Sequence, residues 1–330
     1  MSEQFNALMV DKTENDFSVN VKKLTVDDLP HAEVLIKVAY SGVNYKDGLA
    51  SIPNGKIVQS YPMVPGIDLA GVVVSSEDPR FRKGDEVIAT SYEIGVSHFG
   101  GYSEYARIPA DWIVPLPKGL SLKEAMIFGT AGFTAALSVQ RLEDNGLSPD
   151  KGKVLVTGAT GGVGSLAVSM LAGRGYDVVA STGKKEEKEY LFKLGAKEII
   201  SRDDVYNGQV KALDKKQWAG AVDPVGGDTL AAILSKISDQ GSVAVSGLTG
   251  GTSVPTSVFP FILRGVNLLG IDSVHCRMET RQAIWSRLAT DLKPDDLSTF
   301  VYKEVSLKEL PDLFPTILKG KMRGRVIVQL

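Results

Sequence analysis

The stretch Lys153–Ser165 reads KVLVTGATGGVGS, and its reading decides the fold. Val154, Leu155 and Val156 form a short apolar run, as a strand buried on both faces would. Glycines 158, 161, 162 and 164 follow, then the helix-compatible SLAVSMLAGRG. Strand, tight glycine turn and helix bring bare backbone N–H groups and a helix N-terminus to one point, which suits a pyrophosphate. The segment Ala159-Thr160-Gly161-Gly162-Val163-Gly164 fits G-x-G-x-x-G with alanine in the first glycine place, making Thr160, Gly161, Gly162 and Val163 candidate coenzyme contacts. A lone glycine-rich turn is also ordinary loop chemistry. Here a second apolar strand, Tyr176–Ala180, arrives one helix length later, as a βαβ unit requires.

Outward from this turn, strands are expected at 153–157, 176–181, 198–201, 219–223, 242–246 and 267–271, with helices between most of them. Six parallel strands with crossovers make a doubly wound sheet. Residues before ~125 read differently: short alternating segments (Ala32–Ala39, Leu69–Val74, Glu86–Ala89, Tyr102–Ile108, Trp112–Pro115) lie between turns such as Lys83-Gly84-Asp85. That spacing predicts a β-rich, barrel-like domain. Ser121 with Glu124 is a capping box opening a helical run, within which Gly129 and Gly132 predict a break or close packing. Past Ile271, a helical run (Glu279–Leu288), an amphipathic segment (Leu307–Lys319) and a strand (Arg325–Leu330) are expected to return to the first domain.

The 330-residue length exceeds what one core of ~250–300 residues supports, so two domains are expected. A net charge of −2 offers no polyanion-binding field, which argues against nucleic acid and acidic membranes as partners. The single cysteine, Cys276, excludes an intrachain disulfide and any thiolate zinc cluster. The opening MSEQFNALMV lacks the basic flank and apolar core of a signal peptide, and no apolar run reaches membrane length, so a cytoplasmic protein is expected.

Three further segments carry a resemblance. Val64-Pro65-Gly66-Ile67-Asp68-Leu69-Ala70-Gly71 resembles the P-G-H-E-x-x-G segment of medium-chain dehydrogenase/reductases. Gly42-Val43-Asn44-Tyr45-Lys46-Asp47 resembles the quinone-oxidoreductase form of their first active-site loop, and Gly129–Ala135 the helix that enters their coenzyme domain. The stretches NYKD, EDPRF, GTAGFTA, WAGA, PFILR and DSV are similar to the zinc-free YhdH/YhfP group of quinone oxidoreductases and acrylyl-CoA reductases. The resemblance implies an α/β fold: a GroES-like β-barrel catalytic domain at 1–131, completed by 274–330, and a Rossmann coenzyme domain at 132–273. The family's three catalytic-zinc positions fall on Asn44, Ile67 and Thr130, which cannot hold the metal, so a metal-free site is expected. It further implies coenzyme contacts from Leu248, Ile262, Ser273 and Arg323, the last two at the cleft between domains. A homodimer paired through the edge strand Asn267–Ile271 is implied by the same analogy.

An NAD site usually places a carboxylate at the end of the second strand. Here that place reads Ala180-Ser181-Thr182-Gly183-Lys184-Lys185, with Arg202 at the end of the next strand. The Thr182 hydroxyl and the cations of Lys184 and Arg202, with Gly183 in the turn between them, suit a 2′-phosphate, so NADP(H) is the expected cofactor; a solvated lysine pair opening a helix is the plainer reading.

The tetrad Tyr190-Leu191-Phe192-Lys193 mimics the short-chain dehydrogenase Y-x-x-x-K, but it lies too close to the glycine turn, on an ordinary core-facing helix. His98 in a glycine-bordered loop reads as structural or exposed rather than facing the substrate, and the neighbours His275 and Cys276, with no acid to orient them, do not read as a catalytic dyad. The resemblance therefore implies an NADPH-dependent, zinc-free reductase of an electron-poor alkene conjugated to a carbonyl, such as an enoyl thioester, or of a quinone. Tyr45 stands next to the substrate in that reading, donating a hydrogen bond or packing the nicotinamide; Asn44 anchors the loop and Asp47 caps it. An NADPH-binding sensor without turnover is the alternative from another class.

Overall fold

The computed structural model describes residues 4–330. Met1–Glu3, the start of the segment read for a leader, lie outside the described residues. The chain divides into two compact units: residues up to Thr130 with Val274–Ala289 and Leu297–Leu330, and Ala131–Ser273 with Thr290–Asp296.

The first unit opens with an antiparallel hairpin, β1 (Phe5–Lys12) and β2 (Phe17–Leu24), that the sequence reading did not anticipate. Then come β3 (Val34–Gly42), the single-turn helix α1 (Tyr45–Ala50), β4 (Asp68–Ser76), β5 (Glu86–Thr90), β6 (Tyr105–Ile108) and β7 (Ile113–Pro115). Strand β6 is shorter than expected, since Tyr102–Glu104 lie outside it. Alternating Val34, Ile36 and Val38 of β3 turn inward onto Leu69, Val73, Ala106 and Ile113, the period-2 pattern of a half-buried strand.

The long helix α2 (Leu122–Asp144) is capped by the expected box, Ser121 N–H donating to Glu124 at 2.8 Å and Glu124 N–H to Ser121 at 3.2 Å. Its helical geometry fails at Gly129, where φ is +50° and ψ −155°, a conformation that costs a side-chain-bearing residue dearly.

The second unit continues with β8 (Val154–Val156), α3 (Gly162–Gly173), β9 (Val178–Ser181), α4 (Lys188–Lys193), β10 (Glu198–Ile200), α5 (Arg202–Val205), β11 (Trp218–Asp223), α6 (Gly227–Lys236), β12 (Ile237–Val245), α7 (Phe259–Arg264) and β13 (Asn267–Gly270). All six strands pair in parallel in the order β10-β9-β8-β11-β12-β13. The order reverses between β8 and β11, the switch point outside whose carboxyl ends such sheets bind ligands.

The chain then adds α8 (Met278–Leu288), β14 (Val301–Val305), α9 (Leu310–Leu318) and β15 (Arg325–Gln329) to the first unit. β15 lies between β14 and β3, so the last strand completes the seven-stranded sheet. Leu310, Leu313 and Phe314 of α9 pack with Leu8, Val326 and Val328, which closes that core. Among the described residues no helix is long and apolar enough to cross a membrane.

Candidate coenzyme and active sites

The glycine turn after β8 is built by backbone hydrogen bonds: Thr157 N–H donates to Val222 O at 3.1 Å, Ala159 N–H to Ser181 O at 3.1 Å and Gly161 N–H to Gly158 O at 2.9 Å. Gly158 takes φ +52° to make the corner. A Cβ on Gly164 would stand 2.3 Å from Gly158 O, so glycine there lets the helix pass close to the turn. Helix α3 starts at Gly162 with Gly161 as its cap. Its first-turn N–H groups therefore have no intrahelical acceptor, the arrangement that suits an anion. Gly161, Gly162 and Val163 are half-buried and Thr160 is buried. Asp223, fully buried at the end of β11, accepts from Thr157 Oγ1, Val225 N–H (3.2 Å) and Gly226 N–H (2.9 Å), while burial raises its pKa. It holds the turn together.

At the end of β9, Thr182 is buried and its Oγ1 accepts from Lys184 N–H at 3.0 Å, which fixes the turn carrying the lysine. Gly183 is bare toward Arg202: a Cβ there would lie 2.8 Å from Arg202 Nε and 2.9 Å from its Cζ. The guanidinium thus lies over the glycine that precedes Lys184. Burial lowers the pKa of Lys184, with Glu187 and Glu186 opposing and Arg202 adding to the shift. The residues fit a dinucleotide: open helix N–H groups at α3, and two cations at the ends of β9 and β10. Of the other expected contacts, Leu248 and Ile262 are 64% and 69% exposed, unusual for apolar side chains. Ser273 is buried and accepts from Thr134 Oγ1 at 2.9 Å, and Arg323 is half-buried before β15.

In the first unit, Asn44 caps α1 and Tyr45 is its first residue. Asp47 closes the capping box, accepting from Asn44 N–H at 2.8 Å, and its other oxygen accepts from Ile67 N–H at 3.0 Å. Fully buried, Asp47 has its pKa pushed up to about 6 by burial first and by the charge of Asp68 second. Tyr45 is 47% exposed, so its ring stands free of the core while its backbone is fixed.

Around that loop lies a network the sequence reading missed. Asp68 Oδ2 accepts from Asn44 Nδ2 at 2.7 Å and from Thr130 N–H at 2.9 Å; Oδ1 accepts from Thr130 Oγ1 at 2.5 Å. Ser91 Oγ lies 3.0 Å from Thr130 Oγ1. Arg325 donates from Nη1 to Asn44 Oδ1 at 3.1 Å and to Val43 O at 3.0 Å, and from Nε to Ile127 O at 3.0 Å. Its Nη2 stands 3.7 Å from Asp68 Oδ2, and both side chains are buried. Removing one partner of such a buried pair costs about 3–5 kcal/mol. Below Ser91, Arg281 is 1% exposed, donates to Thr90 O (3.1 Å), Thr90 Oγ1 (3.0 Å) and Val274 O (3.0 Å), and lies 4.4 Å over the Tyr92 ring. It braces Ser91 and Tyr92, whose φ values of +65° and +48° are rare for side-chain-bearing residues. His98 sits 2.6 Å from Arg107 O and edge-on to Trp112, a packing role.

A glycine-turned six-stranded parallel sheet and a GroES-like β unit define the class. Residues 30–118 match the alcohol dehydrogenase GroES-like domain and residues 162–290 the zinc-binding dehydrogenase domain. The chain belongs to the medium-chain dehydrogenase/reductase family, in its quinone oxidoreductase group. Within that group it is 66% identical over 330 residues, all of both chains, to YhfP of Bacillus subtilis, which carries the name of a quinone oxidoreductase. It is 50% identical to the acrylyl-CoA reductase AcuI of Ruegeria pomeroyi over 98% of each chain. The structure of B. subtilis YhfP with NAD bound superimposes with a TM-score of 0.98 at 66% identity over all of both chains. That of the Salmonella enterica yhdH oxidoreductase in complex with NADP gives 0.95 at 44% identity over 98% and 99%.

The family implies a catalytic zinc, and these residues do not fit it. Ile67 has no donor atom, the Asn44 amide is engaged at both ends, and the Thr130 hydroxyl donates to Asp68. We expect the purified protein to contain no stoichiometric zinc and to keep its turnover in chelator. Elemental analysis showing one tightly bound zinc per chain, with activity lost on its removal, would refute this.

Proposed function

We propose that the protein is an NADPH-dependent, zinc-free reductase of an electron-poor C=C conjugated to a carbonyl, of the acrylyl-CoA type. The observation carrying the reading is the neutral, fully engaged set at Asn44, Ile67 and Thr130, with the exposed Tyr45 phenol beside it. Without a Lewis acid, alcohol–ketone exchange loses its usual stabilisation of an alkoxide. When bound, the coenzyme would supply a hydride to the β-carbon, and the resulting enolate would take its proton at the α-carbon from water. Tyr45 donates its hydroxyl to the thioester carbonyl, where negative charge collects, and its fixed backbone keeps the donor in place. Asn44 anchors that loop.

The preference for NADPH is supported by Lys184 and Arg202 where an NAD site carries a carboxylate. Relatives have been solved with NADP and with NAD, so the coenzyme choice of this chain is read from its own residues. Thr160 to Val163 cradle the pyrophosphate, and Thr182 to Lys184 with Arg202 take the 2′-phosphate. Leu248, Ile262, Ser273 and Arg323 complete the contacts in this reading. A homodimer is part of it: β13 is an outer strand of its sheet, and Leu268 on it is 41% exposed. A cytoplasmic setting suits a chain whose one cysteine, Cys276, can form no intrachain disulfide.

The test is NADPH consumption across acryloyl-CoA, crotonoyl-CoA and simple quinones. We expect kcat/KM for acryloyl-CoA to exceed that for the best quinone by roughly tenfold or more. The reverse order would make it a quinone oxidoreductase proper. Consumption with none would leave an NADPH-binding sensor.

A further inference from the structure

Asp68 and Arg325 are both buried, and neither serves the sheet's own hydrogen bonds with its side chain. What they grip is specific. Asp68 holds the nitrogen end of the Asn44 amide and Arg325 the oxygen end, so the amide is fixed in one orientation. Asp68 also holds both the N–H and the hydroxyl of Thr130, and Arg325 reaches back to Val43 O, one residue before the helix cap. Two glycines make room for the pair. A Cβ on Gly42 would stand 2.7 Å from Arg325 Nη2, and one on Gly129 would stand 2.4 Å from Asp68 Oδ2 and 2.7 Å from Arg325 Nη2. The break in α2 at Gly129 therefore lies where the ion pair needs bare backbone.

We propose that the buried Asp68–Arg325 pair is the positioning device of the Tyr45 loop, fastening Asn44 and Thr130 as a bound metal would fasten ligands at those places. The geometry favours this over a merely structural pair. Among the described residues, five hydrogen bonds link the two side chains to Val43, Asn44 and Thr130, and one, to Ile127 O, leads elsewhere. Neither residue touches the substrate; each acts through Asn44 and so through the backbone of Tyr45. The proposal rests on the reading of Tyr45 as the substrate-facing residue.

The test uses the full-length chain with an apolar replacement of the whole pair, Asp68→Leu with Arg325→Met, because replacing both charges avoids stranding one of them. Hydrogen exchange followed by mass spectrometry reads the loop directly, whatever the substrate proves to be. Exchange in the peptide spanning residues 43–50 should rise by about tenfold while β4 and β8 stay protected. With the best substrate of the panel, kcat should fall by roughly fiftyfold and the Kd for NADPH should change less than about threefold. Wild-type loop protection in a folded double variant would overturn the proposal. If the double variant does not fold, Arg325→Lys carries the test, since lysine keeps the charge but cannot reach Val43, Asn44 and Ile127 together. Loop exchange should then rise by about threefold or more, and unchanged protection would again overturn it. A wild-type enzyme inactive on the whole panel would sink the functional reading alone, because the exchange measurement still decides the loop.

Discussion

Gly162→Val should weaken NADPH binding by roughly tenfold or more, on the order of 1.4 kcal/mol, while leaving the fold intact. Gly162 is the first residue of α3 and half-buried, in the turn where an approaching pyrophosphate meets bare backbone. In the proposed site a branched side chain there would occupy the anion's place. Gly164 is the internal contrast. Its Cβ would strike Gly158 O at 2.3 Å, so Gly164→Val should lower the melting temperature and not affinity alone. Titration of NADPH fluorescence with a melting curve on each variant separates the two effects. Unchanged affinity in a folded Gly162→Val protein would refute the placement of the pyrophosphate.

The parts legible in the sequence are those with local signals. The central strands β8, β9 and β11 were readable because each is a short, mostly apolar run between turns, and every residue in them is buried; the outer strands β10 and β13 are largely exposed or half-buried and were readable from their spacing in the strand–helix alternation. The hairpin β1–β2 escaped for the opposite reason. β1 reads FNALMVDK, with Asn, Ala and Met weakening its β signal and four consecutive buried positions hiding the period of two. β2 reads FSVNVKKL and looks like polar loop. The short strand β14, VYKEV, was lost among charged neighbours.

Gly129 shows where local reading stops. A break or close packing was foreseeable from a glycine inside a helical run. What it makes room for was not, because Asp68 and Arg325 come from β4 and β15, far apart in the chain. Asp68 carries a local signal, standing one residue after the ligand position Ile67 within the Pro65–Gly71 segment. Arg325 offers no such signal, since an arginine opening a strand is ordinary until its burial is seen. The same holds for Arg281 beneath Tyr92.

The wild type should prefer NADPH over NADH by roughly tenfold or more, and Lys184→Ala should remove much of that preference. Lys184 follows Thr182 and Gly183 at the end of β9, and Arg202 lies over Gly183 from the start of α5. Burial lowers the pKa of the lysine, so its ammonium lacks part of its hydration and gains from an anion placed against it. A charge-assisted contact to phosphate contributes about 1.5–3 kcal/mol, which sets the size of the expected preference. The 2′-hydroxyl of NADH offers no charge to that ammonium, so NADH kinetics should hardly change. The contact is remote from the reacting carbon; the loss should therefore be in KM for NADPH, with kcat moving less. Steady-state kinetics of both proteins with both coenzymes at one ionic strength decide it, because salt screens partly exposed charges. An NADH preference in the wild type would overturn the coenzyme assignment. Equal loss with both coenzymes would instead mean that the turn at the end of β9, held by Thr182 to Lys184 N–H, had been damaged.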